Sequence, residues 1–321
     1  MSASHIKTID IFCGAGGSSY GARKAGAKIL AGFDIWNPAA MTFKANFKKA
    51  QVYQKDIRKL DPENIKKDIG EIDLILASPE CTNHSVAKGA KERSEESKRT
   101  VFEVIRYAKV FRPKWLVIEN VIQMSSWSEH PKLLEELWDL DYFVKETKLN
   151  AKDFGVPQSR KRLFLLCTQS KEAKSPPPKS NKIKPASSII DYSDKYEFTP
   201  LYSKRRAKKT LERAERAFAA IGKKEPFLLV YYGTDGSGGW QLLNNPLRTV
   251  TTLDRFAYVK PGNNGHLMRM LQPGELKLAM GFGQDFSIDL DLTRRQKIKL
   301  MGNGVCPPVM EAIVKSLVEN E

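Results

Sequence analysis

The sequence predicts an α/β protein, in which a doubly wound, mostly parallel sheet carries a second, smaller domain. Two observations predict this fold. In the first half of the chain, short apolar runs alternate with amphipathic stretches, which is the pattern of βαβ units. Residues 169–200 are instead rich in Lys, Ser and Pro. That composition indicates a linker or an irregular crossing, and therefore a boundary near residue 168.

The first half supplies the strands and helices of the predicted sheet. The strands are largely apolar, as expected where helices cover both faces of a sheet, and they are residues 8–12, 28–33, 72–77, 115–118 and 163–167. The helices between them include residues 20–25, 38–47 and 99–110. Because ligands bind such sheets at the carboxyl ends of the strands, the polar residues that follow these strands are the candidates for chemistry.

The second half begins with a basic segment. Apolar residues spaced by three and four over residues 203–224 predict a helix with one apolar stripe. Its other face is basic, with Lys204, Arg205, Arg206, Lys208 and Lys209. These residues either begin a solvated helix or face phosphates, and the sequence leaves both alternatives open. Residues 169–245 hold 15 Lys+Arg and 8 Asp+Glu, so we expect a polyanion to be held there.

The end of the chain predicts a strand at residues 227–232 and two helices at residues 276–282 and 309–318. A loop that includes residues 302–308 separates the two helices.

Composition narrows the classes of function. The chain has 321 residues, 41% of them hydrophobic, and a formal net charge of +16. That is enough apolar material to exclude wholesale disorder. No run approaches the roughly 18 apolar residues of a membrane span, and residues 1–7 lack the apolar run of a signal peptide, so we expect a cytoplasmic protein. The positive charge favours a nucleic-acid partner, although a merely basic surface also fits it.

The four cysteines are Cys13, Cys81, Cys167 and Cys306, and no two of them form a CxxC pair. This spacing argues against a disulfide framework and against a thiolate zinc site. We therefore expect reduced thiols and no metal.

A glycine cluster follows the first predicted strand, with Gly14, Gly16 and Gly17 directly before a helix. Glycines there permit positive φ and let a cofactor lie against the backbone at a helix N-terminus. The spacing is not that of dinucleotide enzymes, and Asp34, at the end of the next strand, is placed to bind ribose hydroxyls. Together with Asp56, this predicts an adenosine-bearing cofactor without a pyrophosphate. The alternatives are a turn acid for Asp34 and a helix N-cap for Asp56.

Polar residues also follow the later strands. Cys81 lies in a polar loop after residues 72–77, so it is a candidate nucleophile and not a packing thiol. Glu119 follows the next strand and should emerge at the same edge of the sheet. Before the strand at residues 163–167, alternation places Gln158, Arg160 and Arg162 on one side.

Several of these motifs occur together and in one order, and in this order the chain resembles the C5-cytosine DNA methyltransferases. The motifs are Asp-Ile-Phe-Cys-Gly-Ala-Gly-Gly (residues 10–17), the acid Asp34, Lys-Asp-Ile (55–57), Pro-x-Cys (79–81), Glu-Asn-Val (119–121), Gln-x-Arg-x-Arg (158–162), Pro-Leu-Arg-Thr-Val-Thr (246–251), the run from Arg269 to Phe282 and Gly-Asn-x-Val (302–305). The resemblance covers residues 8–318, interrupted by the basic segment.

The resemblance implies a sheet of the S-adenosylmethionine-dependent methyltransferase type and S-adenosylmethionine as the cofactor. It implies a catalytic and cofactor-binding domain at residues 1–168 plus 296–321, and a small basic target-recognition domain at residues 169–295. The implied cofactor residues are Phe12, Gly14, Ala15, Gly16, Gly17, Asp34, Ile35, Asp56, Ile57, Asn303 and Val305.

The implied chemistry fits these residue types. A Cys81 thiolate would add to carbon 6 of cytosine, and Glu119 would hydrogen-bond the ring N3 and the exocyclic amine. Arg162 would hold the cytosine O2, and Arg160 would help to order the nucleophile loop. The cytosine must leave the duplex, so the loop from residue 79 to about residue 98 should close on DNA.

The chain departs from the family at Glu80, where the family usually has proline. A carboxylate beside a thiol raises the pKa of the thiol if it points inward. We expect Glu80 to point toward solvent or toward the methionyl amine.

The expected partner is double-stranded DNA, bound by a monomer, with a cognate restriction endonuclease as a separate protein. Two alternatives stay open at this point. One is a methyltransferase for tRNA cytosine, which would share the catalytic set. The other is a catalytically silent relative that binds DNA without modifying it.

Overall fold

The computed structural model describes residues 6–79, 100–179, 182–193, 195–232 and 238–320. Its strands are β1 (Lys7–Ile11), β2 (Lys28–Phe33), β3 (Gln51–Tyr53), β4 (Leu74–Ala77), β5 (Trp115–Asn120), β6 (Phe143–Asn150), β7 (Lys161–Thr168), β8 (Thr199–Pro200), β9 (Phe227–Val230), β10 (Trp240–Leu242), β11 (Phe256–Lys260) and β12 (Leu267–Met270). Its helices are α1 (Gly17–Lys24), α2 (Asn37–Asn46), α3 (Pro62–Ile69), α4 (Val101–Phe111), α5 (His130–Trp138), α6 (Lys208–Ile221), α7 (Pro273–Ala279), α8 (Arg294–Asn303) and α9 (Pro307–Glu319).

The larger of the two sheets has seven strands in the order β3-β2-β1-β4-β5-β7-β6. Strands β1 to β5 pair in parallel, whereas β7 runs antiparallel to both β5 and β6. The strand order reverses at β1, between β2 and β4. This arrangement is the predicted doubly wound, mostly parallel sheet, and it directs ligands to the carboxyl ends of β1, β2, β4 and β5.

Helices cover both faces of this sheet because its strands are apolar on both sides. Ile9 and Ile11 of β1 pack into a buried cluster with residues of α3, α4 and α5. The opposite face packs against α1, α2 and α9. The C-terminal helix therefore completes the layer that the N-terminal helix begins, and a Cβ at Gly21 of α1 would collide with the carbonyl of Pro307.

The smaller sheet has five antiparallel strands in the order β10-β9-β11-β12-β8. One face packs on the apolar stripe of α6 through Ala214, Ala217 and Phe218. The other face, through Leu228, Val230 and Tyr258, belongs to the cluster that also holds α1 and α9. The two sheets therefore share one continuous core on that side.

Most of the predicted elements match the structure within a few residues, and the predicted strand at residues 28–33 is β2 itself. Several elements were not predicted: the strands β3, β6, β8, β10, β11 and β12 and the helices α3, α5 and α8. Gly302 and Asn303, predicted in a loop, form the end of α8. Thr293 begins α8 with a capping box, in which Thr293 and Gln296 bond to each other's backbone amide.

Candidate active site

The carboxyl edge of the large sheet brings together most of the residues that the sequence singles out. The glycine loop follows β1, Asp34 follows β2, and Glu119 lies at the carboxyl end of β5. Because β7 is antiparallel to β5, its first residues reach the same edge, and Arg162 comes beside Glu119. The geometry of this edge is therefore that of one site.

The glycine loop after β1 has an unusual backbone. Phe12, Gly14 and Gly16 have positive φ values of 59°, 54° and 95°. The amide of Gly16 donates to the carbonyl of Cys13 at 2.8 Å, and the loop then runs directly into α1. A positive φ is costly for phenylalanine, and such strain is typical of functional loops.

Asp34 ties this loop to the end of β2. Its Oδ2 accepts a hydrogen bond from the amide of Gly14 at 2.9 Å, and its Oδ1 accepts one from the amide of Trp36 at 2.8 Å. Each carboxylate oxygen has a second lone pair. Asp34 therefore acts in the turn, which was one of the two alternatives, and its carboxylate lies beside the glycine loop.

The C-terminal loop packs directly against the glycine loop. A Cβ at Gly17 would collide with the carbonyl oxygen of Val305, so only glycine allows the two backbones to approach this closely. Val305 is buried, whereas Asn303 at the end of α8 is exposed. Residues from the two ends of the chain thus form one wall.

The turn after β3 carries the next pair of candidates. Asp56 caps a short 3₁₀ turn, and its carboxylate pairs with Arg58 at 2.7 Å. The hydrogen bond from Arg58 lowers the pKa of Asp56. Ile57 is buried, whereas Ile35, which follows the neighbouring strand, is 65% exposed. Because the Asp56 carboxylate accepts from the amide of Arg58, Asp56 is a helix N-cap, which was the alternative for this residue.

The residues of this region fit an adenosine carrying a methionyl group. A Cβ at Gly14 would meet nothing within 4 Å, so the loop borders open space. Asp34 offers acceptors for hydroxyls, and Ile35 offers an exposed apolar side chain that a purine could cover. Among the residues that the structure describes, no group of His, Cys, Asp and Glu side chains is arranged to hold a metal ion.

Glu119 and Arg162 form a buried ion pair at the same edge. Arg162 Nε lies 3.1 Å from Glu119 Oε1, and the two side chains are 16% and 8% exposed, respectively. Burial raises the pKa of the Glu119 carboxyl, and the charges of Arg162 and Arg160 partly offset this rise. A carboxyl of this kind is suited to holding a proton against a bound base.

Asn120 connects this pair to the segment that carries the predicted nucleophile. Its side-chain amide donates to the carbonyl of Pro79 at 3.3 Å, and its Oδ1 accepts from the amide of Val121 at 2.8 Å. The chain therefore leaves β4 beside Glu119. Cys81, Glu80 and His84 lie in residues 80–99, outside the described residues.

Arg160 is nearly fully buried and holds three backbone carbonyls. Its Nη1 donates to Val250 at 2.9 Å, and its Nη2 donates to Gly302 and Gly304 at 2.8 and 3.0 Å. Gln158 bonds to the amide of Val250 at 2.8 Å and to the carbonyl of Ala279 at 3.0 Å. Arg160 therefore fastens the segment between β10 and β11 and the C-terminal loop to the start of β7, and Gln158 fastens that segment and the end of α7.

The sequence reasoning missed one acidic residue under the glycine loop. Asp10 is fully buried, and its Oδ2 accepts from the hydroxyl and the amide of Ser19 at 2.7 and 3.1 Å. Burial raises the pKa of Asp10 to about 7, against the hydrogen bonds from Ser19. Its place in the motif of residues 10–17 was the available signal, because a carboxylate inside an apolar strand needs a reason.

The three cysteines that the structure describes are buried and free. Burial raises the pKa of the Cys13 and Cys167 thiols, and it raises the pKa of Cys306 to about 11. These three side chains are therefore poor nucleophiles.

Of the basic residues before and at the start of α6, one points toward the small sheet and the others face solvent. Arg206 points inward and donates to the carbonyl of Pro200 at 3.0 Å and to the hydroxyl of Thr199 at 2.9 Å. The others are exposed to solvent: Lys204, Arg205, Lys208 and Lys209. They form a cationic surface on the small sheet's helix, which we call the α6 basic surface.

The family comparison agrees with this geometry. The family model described as C-5 cytosine-specific DNA methylase matches residues 6–319. This chain belongs to that family. The Type II methyltransferase M1.ScrFI of Lactococcus lactis subsp. cremoris is 30% identical, over 98% of this chain and 78% of that protein. The chain spans less than half the length of several other curated relatives, and it covers 41% of M.DdeI of Desulfomicrobium norvegicum at 32% identity over 51% of this chain.

Solved structures share the fold. The Entamoeba histolytica methyltransferase EhMeth superposes with a TM-score of 0.75 at 18% identity, over 98% of both chains. A mutant of Spodoptera frugiperda DNMT2 gives a TM-score of 0.72 at 17% identity, over 98% of this chain and 100% of that one. Within the described ranges, no helix is long and apolar enough to cross a membrane.

Proposed function

We propose that this protein is a DNA methyltransferase that transfers a methyl group from S-adenosylmethionine to carbon 5 of a flipped-out cytosine in duplex DNA. The observation that carries the proposal is the buried Glu119–Arg162 pair beside Pro79, at the sheet edge that also holds the glycine loop. A cytosine placed there would meet a carboxyl on its N3 side and a guanidinium at O2.

The protein's own residues then have distinct tasks. The Cys81 thiolate forms a bond from its sulfur to carbon 6 of cytosine, while Glu119, whose pKa burial raises, neutralises the charge that develops at N3. Arg162 holds the O2 atom. Carbon 5, now electron-rich, would take the methyl group from the cofactor's sulfonium, which would leave as S-adenosylhomocysteine. A base would then remove the proton of carbon 5, and the electron pair of that C–H bond would expel the Cys81 thiolate. Arg160 supports the site by holding the backbone carbonyls of Val250, Gly302 and Gly304.

S-adenosylmethionine supplies the electrophilic methyl group. We assign its binding to the glycine loop from Phe12 to Gly17 and to Asp34 and Ile35, with Asp56 and Ile57 at the adenine. Asn303 and Val305 would close the pocket over it. The open space at Gly14 and the position of Asp34 beside the glycine loop support this assignment.

We further assign residues 1–168 plus 296–321 to the catalytic and cofactor-binding domain, and residues 169–295 to target recognition. The exposed lysines and arginines of the α6 basic surface support a DNA-facing role for the second unit. We also propose that the protein acts in the cytoplasm as a monomer, with any cognate restriction endonuclease acting separately.

The test is methyl transfer from tritiated S-adenosylmethionine to duplex DNA, with tRNA as the parallel substrate. We expect label in DNA and a covalent adduct with DNA that contains 5-fluorocytosine. Cys81→Ser should abolish both while leaving cofactor binding intact, and Cys167→Ala is the matched thiol control that should retain both. Label in tRNA alone would show that the substrate is tRNA and not DNA. Binding of DNA without label or adduct would indicate a catalytically silent relative.

A further inference from the structure

Arg106, on the second turn of α4, holds two carbonyls of the turn that follows β3. Its Nη2 donates to the carbonyl of Ile57 at 2.7 Å, and its Nη1 donates to the carbonyl of Leu60 at 2.8 Å. Its Nε donates to Glu103 Oε2 at 2.9 Å, one turn earlier on the same helix. One planar group is therefore fixed on its helix and joins both ends of the turn.

The turn is otherwise held by the packing of Ile57 in the buried cluster that includes α4, and by short-range hydrogen bonds. It is a single 3₁₀ turn of three residues, Ile57–Lys59, and its hydrogen bonds are local: Asp56 caps it, and the amide of Leu60 donates to the carbonyl of Ile57 at 3.2 Å. The anchoring strand β3 is only three residues long and lies at the edge of the sheet. The position of Asp56 and Ile57 relative to the rest of the pocket therefore depends on a partner outside the turn.

We propose that Arg106 is a positioning residue for the adenine end of the cofactor pocket, an inference that rests on the proposed function. It does not touch the adenine. It sets the distance between the Asp56–Ile57 backbone and Asp34 by bonding to the carbonyls of Ile57 and Leu60. Arginine suits this task because its planar fork can hold two carbonyls at once, whereas an ammonium acts as a point donor.

The proposal predicts a selective loss of cofactor affinity. Arg106→Met removes both carbonyl contacts, and hydrogen bonds from a charged donor are strong enough to expect a rise of about tenfold in the Kd for S-adenosylhomocysteine. Arg106→Lys can restore one contact, so its Kd for S-adenosylhomocysteine should lie between those of wild type and Arg106→Met. In turnover, the KM for S-adenosylmethionine should rise while the KM for DNA stays within about twofold of wild type.

The matched control lies on the same helix. Lys109→Met removes a cation whose ammonium pairs with Glu136 at 2.8 Å, away from the turn. Titration calorimetry with S-adenosylhomocysteine is done first on wild type, then on Arg106→Met, Arg106→Lys and Lys109→Met, with thermal unfolding of each to show that it is folded.

The outcomes separate the two hypotheses. If wild type does not bind S-adenosylhomocysteine, the proposed function fails. If wild type binds it and a folded Arg106→Met binds it equally well, the function stands and the positioning role is overturned. A loss shared equally by Lys109→Met, or an equal rise in the KM for DNA, overturns it too, because a general weakening of α4 would then be sufficient. A loss confined to Arg106→Met, partly restored in Arg106→Lys, supports it.

Discussion

Two buried ion pairs, one in each sheet region, are built differently. In the small sheet region Arg269 binds Glu275 through two parallel contacts of 2.7 and 2.8 Å. Glu275 also accepts from the amides of Asp191 and Gln272, at 2.8 and 2.6 Å. The guanidinium lies between aromatic rings, with the ring of Tyr196 5.1 Å from its centre.

The pair at the edge of the large sheet is looser. Arg162 approaches Glu119 through Nε at 3.1 Å, and burial raises the pKa of the carboxyl. A carboxylate that accepts from four donors has little capacity left for a ligand, whereas Glu119, which Arg162 meets through Nε at 3.1 Å, is better placed to bind and protonate a base. The comparison therefore supports a structural role for Glu275 and the proposed catalytic role for Glu119.

The largest expected effect is on the catalytic side of this comparison. Glu119→Gln keeps the size of the side chain and removes its proton-transfer chemistry, so single-turnover methyl transfer should fall by about 10²–10⁴-fold. Binding of S-adenosylhomocysteine should stay unchanged. A rate within about tenfold of wild type would contradict the assignment, since the loss would then be smaller than general acid catalysis supplies.

The structural side is tested by breaking the other pair. Arg269→Met leaves the buried Glu275 carboxylate without its cation, and the free energy of unfolding should fall by about 3–5 kcal/mol in urea titrations. Arg112→Met removes the partner of Asp141 from an exposed pair and should cost less than about 1 kcal/mol. If both variants lose the same free energy of unfolding, the buried Arg269–Glu275 pair stabilises the fold no more than an exposed pair does.

A smaller effect concerns the carboxyl under the glycine loop. The pKa of Asp10 is about 7 in the folded protein, raised from the ordinary aspartate value of 3.8. Its stabilising contribution is therefore fully present below about pH 4 and is lost as the pH rises through about 7. Between pH 5 and pH 8, wild type should lose stability that Asp10→Asn does not lose, by at most about 3 kcal/mol.

Urea titrations of the two proteins at both pH values measure this difference. Asp289→Asn removes an exposed carboxylate and serves as the charge-matched control. Parallel pH profiles for wild type and Asp10→Asn would contradict the burial argument.

The sequence predicts the first half of the fold well because local patterns control it. Residues 28–33 and 115–118 are apolar runs long enough to be buried strands, and a residue such as Glu119 at the end of one run must emerge at the sheet edge. The glycine loop is equally local, since its contacts to Asp34 come from the next strand.

The remaining features depend on contacts between distant parts of the chain. Arg160 bonds to carbonyls that lie 90 to 144 residues away, and no motif identifies which backbone atoms a buried arginine will meet. The contact from Arg106 to Ile57 is equally invisible in the sequence. Helix α8 is a different case, because its capping box of Thr293 and Gln296 was a readable local signal that apolar periodicity alone does not show.

The smallest expected effect tests whether the α6 basic surface, beside the small sheet, contributes to DNA binding. Replacing Lys208 and Lys209 of the α6 basic surface with glutamine should weaken DNA binding uniformly across sequences. Because each phosphate contact contributes about 0.9 to the salt slope, the dependence of log K on log salt should become shallower by about 2. Fluorescence anisotropy with a labelled duplex at several salt concentrations measures this slope.

Lys48 and Lys49 provide the control for net charge. They follow α2 at the amino end of the large sheet, are exposed, and line a groove of about 770 Å³ on the side away from Glu119. Their replacement by glutamine changes the net charge equally and should alter the salt slope much less. If both double variants shift the slope equally, DNA is attracted by the overall charge of the protein, and the distinction between a catalytic region and a recognition region loses its electrostatic support.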